Sequence, residues 1–136
     1  MNYVIKAEIG DPRARSFVFD AQKTMYGGRR VAKGDTIFLF ASENQGGDGL
    51  IARGVVTAAR ASRRKTGVAR QTPRVGIEVR RTAAARRRLG RIELKPFSDW
   101  KDGRPETELN FKFYRQATNK IGGISDGAAA FLETFF

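Results

Sequence analysis

Apolar and polar residues alternate at the start of the chain. Tyr3, Ile5, Ala7 and Ile9 fall on one face and Lys6 and Glu8 on the other, the two-residue period of a strand. Asp11-Pro12 stops it. Arg13 to Tyr26 reads as irregular, with room for a short strand at Ser16-Phe17-Val18-Phe19, and Gly27-Gly28 punctuates before Arg29-Arg30. Lys33-Gly34-Asp35 is a turn signal that feeds Thr36-Ile37-Phe38-Leu39-Phe40. That nearly continuous apolar run predicts a strand buried on both faces. A polar, glycine-rich loop, Ser42 to Gly49, separates it from a second strand, Leu50 to Arg60, with Gly54 as a bulge, so the pair reads as a wide-looped hairpin.

Ala61 to Pro73 carries almost nothing to bury and reads as a long exposed loop or hairpin tip, a length usually functional or disordered in a small domain. Val75, Ile77 and Val79 share one face of a further strand, Val75 to Arg80. Thr82 then reads as the N-cap of a short helix, Ala83 to Leu89, closed by Gly90. In its last turn Arg86, Arg87 and Arg88 would complement the helix dipole. Ile92 to Leu94 reads as a brief strand, Pro96 to Glu106 as a loop around Trp100, and Phe111 to Arg115 as either strand or helix. Ser125 caps a final helix, Asp126 to about Phe135, whose Ala128, Phe131, Leu132 and Phe135 have helical spacing. The expected fold is α+β: one domain, residues 1–136, a small curled β-barrel of about five or six strands flanked by short helices.

Composition narrows the chemistry. The 136 residues contain no cysteine and no histidine, which excludes disulfides, Cys/His zinc sites and Ser-His-Asp or Cys-His catalysis. With no apolar signal-peptide region at Met1 to Lys6 and no long apolar run, a cytoplasmic location and no membrane partner are expected. The net charge is +12, and its distribution says more than its size. Arg53 to Arg91 holds 13 basic residues and one acid, Glu78, whereas the remaining residues balance. So local an excess is what a polyanion-binding surface needs; the plainer alternative is a solvated face.

No Walker loop or dinucleotide fingerprint is present, and Gly46 to Gly49 reads as a loop tip rather than a phosphate cradle. Asp99 and Asp102 lie in a Gly/Pro loop and read as turn formers rather than paired catalytic carboxylates. Two constellations remain. The first is the basic segment, in which Arg53, Arg60, Arg63, Arg64, Lys65, Arg70, Arg74, Arg86, Arg87 and Arg88 are the candidate phosphate ligands. The second is aromatic rings beside amides and hydroxyls: Phe40 with Ser42 and Asn44, Phe97 and Trp100 in a polar loop, Tyr114 with Gln116 and Asn119. A pocket that reads one base needs ring faces for stacking and polar groups for the base edge. Core packing competes as an explanation for Phe40, and turn-tying for Gln116 and Asn119.

Tyr3-Val4-Ile5-Lys6-Ala7-Glu8 resembles the opening strand of EVE domains, members of the PUA-like superfamily. Lys33 to Ser42 resembles their Gly-Asp strand, which ends in an aromatic residue and a Ser-containing turn, and Leu50 to Val56 is similar to the strand that follows. The likeness covers roughly residues 1–60, with a fainter echo in YRQATNKIGGIS. It implies a curled barrel flanked by helices, and a binding module of the kind that holds RNA or a modified base in an aromatic-lined pocket, as EVE, YTH and ASCH-type domains are associated with doing. Phe40 and Ser42 would line the pocket. Ala41 stands where the family has His, and the family's tryptophan segment is reduced to Met25-Tyr26-Gly27-Gly28-Arg29, with Tyr26 as a stand-in ring.

The expected function is therefore a non-catalytic module for DNA or RNA, without metal or cofactor. A base pocket of Tyr26, Phe40, Ser42, Asn44, Trp100, Tyr114, Gln116 and Asn119 would sit beside the arginine-rich surface. One alternative is a basic protein that packs on structured RNA, such as a ribosome-associated factor, with no selective pocket. Another is an ASCH-like enzyme acting on RNA or nucleotides, with Lys6, Glu8 and Tyr114 as its acid–base groups.

Overall fold

Six strands close into a barrel in the computed structural model, which describes residues 1–62, 67 and 74–136. They are β1 (Asn2–Ala7), β2 (Ser16–Met25), β3 (Thr36–Ala41), β4 (Gly49–Ala61), β5 (Arg74–Ala84) and β6 (Lys120–Gly123). The order around the barrel is β1-β3-β4-β5-β2-β6. β1 runs parallel to β3 and β2 parallel to β6, and the other seams are antiparallel. Three helices complete the fold: α1 (Arg91–Leu94), α2 (Pro105–Phe113) and α3 (Asp126–Glu133).

The alternation of β1 and β3 creates two cores at once. Tyr3 and Ile5 with Ile37 and Leu39 point into the barrel, where Phe17, Phe19, Ala52, Ile77 and Ile121 meet them. Val4, Phe38 and Phe40 point the other way and are covered by Leu94, Leu109, Phe113, Leu132 and Phe135 from the helices. Both faces of these strands are buried, as the unbroken apolar run at 36–40 predicts. Leu, Ile and Phe side chains sealed in this way each contribute about 1.5–3 kcal/mol. Pro105 occupies the first turn of α2, where its missing N–H costs nothing. The Ser125 side chain caps α3 by accepting from the Ala128 N–H at 3.1 Å. Glu108 accepts from the Ser125 N–H at 2.8 Å and from its hydroxyl, tying α2 to α3.

The structure departs from the sequence expectations at five places, one of them helix α2, which begins at Pro105 inside the expected loop. Residues 16–25 form a ten-residue strand rather than irregular chain. Its register slips between Phe19 and Gln22, and Ala21 takes φ 44°, so the bulge erases the two-residue period. Residues 82–84 continue β5, paired with Ala52 and Arg53 of β4, instead of starting a helix; ladder pairing overrides the helical propensity of alanine. Ile92 to Leu94 lies in helix α1, not a strand. Strand β6 went unread because two of its four residues are glycines. A Cβ on Gly123 would lie 2.6 Å from the Tyr26 carbonyl oxygen, so the closing strand needs that glycine to approach. The Gly54 bulge is present as a register shift between Arg53 and Gly54.

Gly49 opens β4 at φ 83°, and a Cβ there would lie 2.3 Å from the Leu89 carbonyl oxygen. Gly49→Ala should therefore lose more than about 1 kcal/mol in urea unfolding. Gly10→Ala, where nothing lies within 4 Å of the added methyl, should be nearly neutral.

Candidate functional site

A hollow of about 410 Å³ opens where three segments converge. The β2 bulge supplies Ala21, Gln22 and Lys23, and Arg74 at the start of β5 borders it. The turn after β3 supplies Ser42, Asn44 and Gln45, and the loop before β6 supplies Ala117, Thr118 and Asn119. Each wall is fixed locally. Arg74 donates to the Ala21 carbonyl at 2.9 Å and pins the bulge that turns Gln22 and Lys23 toward the opening. The Ser42 N–H donates to the Ala7 carbonyl at 2.9 Å, and its own carbonyl accepts from Gln45 and Gly47. Asn119 donates to the Gln45 side-chain oxygen at 2.7 Å, joining two walls, while Arg91 donates to the Asn44 side-chain oxygen at 2.8 Å. Amides, two hydroxyls and two cations line the opening, and among the described residues no aromatic ring does.

The rings lie behind it. Phe40 is buried in the helix-side core and meets Tyr114 edge-on, centroids 6.3 Å apart. The Tyr114 hydroxyl donates to Glu43 at 3.0 Å, and burial, followed by the Glu43 charge, raises its pKa above the ordinary tyrosine value. The other Glu43 oxygen accepts the Arg91 N–H at 2.7 Å and so anchors the start of α1.

Two buried lysines hold the third wall. Lys6 and Lys120 face each other across β1 and β6, and each is only 1 % exposed. Lys6 Nζ donates to the Phe113 carbonyl at 2.8 Å and lies 5.0 Å from the centre of the Tyr114 ring. Lys120 Nζ donates to the Thr118 carbonyl at 3.1 Å. The pair thus satisfies carbonyls at and beyond the end of α2, the pole that favours cations. Burial, reinforced by the Lys120 charge, lowers the Lys6 pKa to about 8, and burial lowers that of Lys120 as well.

Of the residues singled out as a base pocket, Ser42, Asn44 and Asn119 come together at this hollow. Gln116 sits just before its third wall. Tyr26 is 39 % exposed beneath the Lys112 ammonium, 5.3 Å from the ring centre, and Trp100 borders a different hollow. The sequence reading passed over Gln22 and Lys23, whose strand was hidden by its bulge, and Gln45 and Thr118, ordinary polar residues in loops. Among the proposed phosphate ligands, Arg63, Arg64, Lys65 and Arg70 lie outside the described residues. Arg53 pairs with Glu133, Arg86 donates to the Phe136 carbonyl oxygen, and Arg87 donates to the Thr134 carbonyl at 3.0 Å while covering the Phe135 ring. These three clasp the end of α3; the dipole they complement belongs to that helix, not to one of their own. Arg60 lies near Asp20 and Glu78, and Arg88 near Asp48, at 3.6–3.9 Å. Among the described ones, only Arg74 borders the hollow.

A closed mixed barrel with helices packed over one side and a polar hollow at the end of β3 is a fold that known structures share. The chain is similar over 98 % of its length to the DUF55 domain of human thymocyte nuclear protein 1, with 13 % identity, 97 % of that chain covered and a TM-score of 0.68. A second human structure, THYN1 in complex with DNA containing 5-methylcytosine, matches at 14 % identity and a TM-score of 0.66, covering 98 % of this chain and 95 % of that one. A protein from Pseudomonas putida matches at 15 % identity and 0.64, covering 99 % of both chains. No protein-family model and no curated protein sequence matches the chain.

The folded state holds the Lys6 ammonium only to about pH 8, whereas an unfolded lysine keeps its proton to about 10.5. Between these values the unfolded chain binds more protons, so stability rises with pH. Urea midpoints should increase from pH 7.5 to 9.5, by on the order of 2 kcal/mol in stability. Lys6→Met should flatten the rise.

Proposed function

We propose that this chain is a nucleic-acid-binding module that takes one nucleotide into the hollow between Ser42, Gln45 and Asn119, while basic residues around it engage the phosphates. The observation that carries this reading is the amide-rich wall flanked by Lys23 and Arg74, set in a barrel of the same fold as the THYN1 structure that contains methylated DNA. Side-chain amides offer both donors and acceptors to a base edge. The two cations suit the phosphate beside it. A nucleotide reaching this depth has to leave its stack, which costs a few kcal/mol and favours unpaired or modified positions. Binding and positioning suffice for this role, and it assigns no residue to catalysis.

The test is fluorescence anisotropy with DNA and RNA oligonucleotides carrying cytosine, 5-methylcytosine and other modified bases, at about 50 and about 200 mM salt. Asn119→Ala should reduce the preference among bases about five- to tenfold while leaving the salt slope in place, the range of one lost base contact. Lys23→Ala should weaken every sequence alike and lower the slope by about one. Equal affinity for all bases, unchanged in Asn119→Ala, would replace this reading with that of a basic RNA-packing protein without a pocket. No binding to any oligonucleotide would refute both.

A further inference from the structure

Trp100 stands over a second hollow, about 260 Å³, on the outer side of α2. Trp100 is 41 % exposed and its ring meets Phe111 edge-on, with centroids 5.5 Å apart and planes at 69°. The Arg115 guanidinium lies over both rings, 5.3 Å from the centre of Trp100 and 4.9 Å from that of Phe111. Neighbouring cations are committed: Lys112 to Glu108 and the Gly123 carbonyl, Arg104 to Asp102. Arg115 makes no ion pair among the described residues, so a full positive charge lies against exposed π-surface with no carboxylate to neutralise it. The Thr107 hydroxyl, buried beside this hollow, has no partner at full hydrogen-bond geometry, although the Asp102 carboxyl lies close to it.

A flat cation on aromatic rings, with an underused hydroxyl at hand, matches an unpaired nucleobase. Bases stack on tryptophan and on guanidinium planes alike, and their edges hydrogen-bond to whatever stands beside them. The position fits as well. Arg115 is two residues from Ala117, which walls the first hollow, and two residues of chain span at most about 7 Å. A strand with one nucleotide in the first hollow would have the Arg115 edge of this platform within reach.

We infer that Trp100, Phe111 and Arg115 form a second nucleic-acid site, which stacks an unpaired base adjacent to the nucleotide held at Asn119. The site rests on the nucleic-acid reading above, adds a preference for single strands, and is separate from the first hollow.

Trp100 is the sole tryptophan, so selectively excited tryptophan emission reports on this site. The whole chain is titrated with a labelled single-stranded oligonucleotide of mixed sequence and with its duplex, reading anisotropy and tryptophan emission together. The single strand should quench the emission in step with binding, and the duplex much less. Trp100→Ala and Arg115→Ala should each weaken single-strand affinity about tenfold, with Trp100→Phe restoring most of the loss, the range expected for one stacked base. Binding that remains sensitive to Asn119→Ala, with emission unchanged and Trp100→Ala at full affinity, would overturn the second site and leave the first intact. Absence of binding to either oligonucleotide would overturn both.

Discussion

The candidate site depends on two ammonium groups placed where water cannot reach them. Lys6 and Lys120 face each other across a strand pair, a costly position for like charges. What offsets the cost is a set of carbonyls at the end of α2 and in the loop after it, to which both lysines donate. The arrangement works in both directions. The helix end needs cations, and the cations fix residues 113–118, which set the position of the loop that carries Asn119. The third wall of the hollow is thus held by buried electrostatics rather than by apolar packing. An alanine there would leave a carbonyl unpaired, at a cost of about 1–3 kcal/mol.

Much of the fold was legible because its strongest elements follow simple periods. Thr36 to Phe40 announced a strand buried on both sides, and the two cores explain why it has no polar face. Ser125 announced its helix through capping chemistry, and Ala128, Phe131, Leu132 and Phe135 through their spacing. What stayed hidden was hidden for physical reasons. The bulge at Ala21 interrupts alternation, so a ten-residue strand looked like loop. The closing strand is Lys-Ile-Gly-Gly, where tight approach matters more than β-propensity. At the site, Ser42, Asn44 and Asn119 were readable as polar residues near the end of an aromatic strand. Lys23 and Gln22 were not, since only the bulge turns them inward. Phe40 and Tyr114 suggested a stacking wall because rings beside amides carry the same local pattern whether they face a ligand or the core.

The arginine-rich segment shows how charge density along a chain can divide in space. Arg53, Arg86 and Arg87 close over the last turn of α3, and Arg74 braces a bulge. Guanidinium groups suit such work, since a planar fork satisfies several carbonyls and still lies flat on a ring. The same residue type that would suit a phosphate therefore serves internal assembly at these positions.

The topology also governs when the fold can exist. β6 lies between β1 and β2, yet it is made more than ninety residues after either of them begins. Until residue 123 has left the ribosome, β1 and β2 each present an unpaired edge, and these are the edges through which chains aggregate. Closure is a late, long-range event, and folding through such distant contacts is slow. During synthesis the nascent barrel is an open sheet, and its last four strand residues act as the staple that turns it into a vessel.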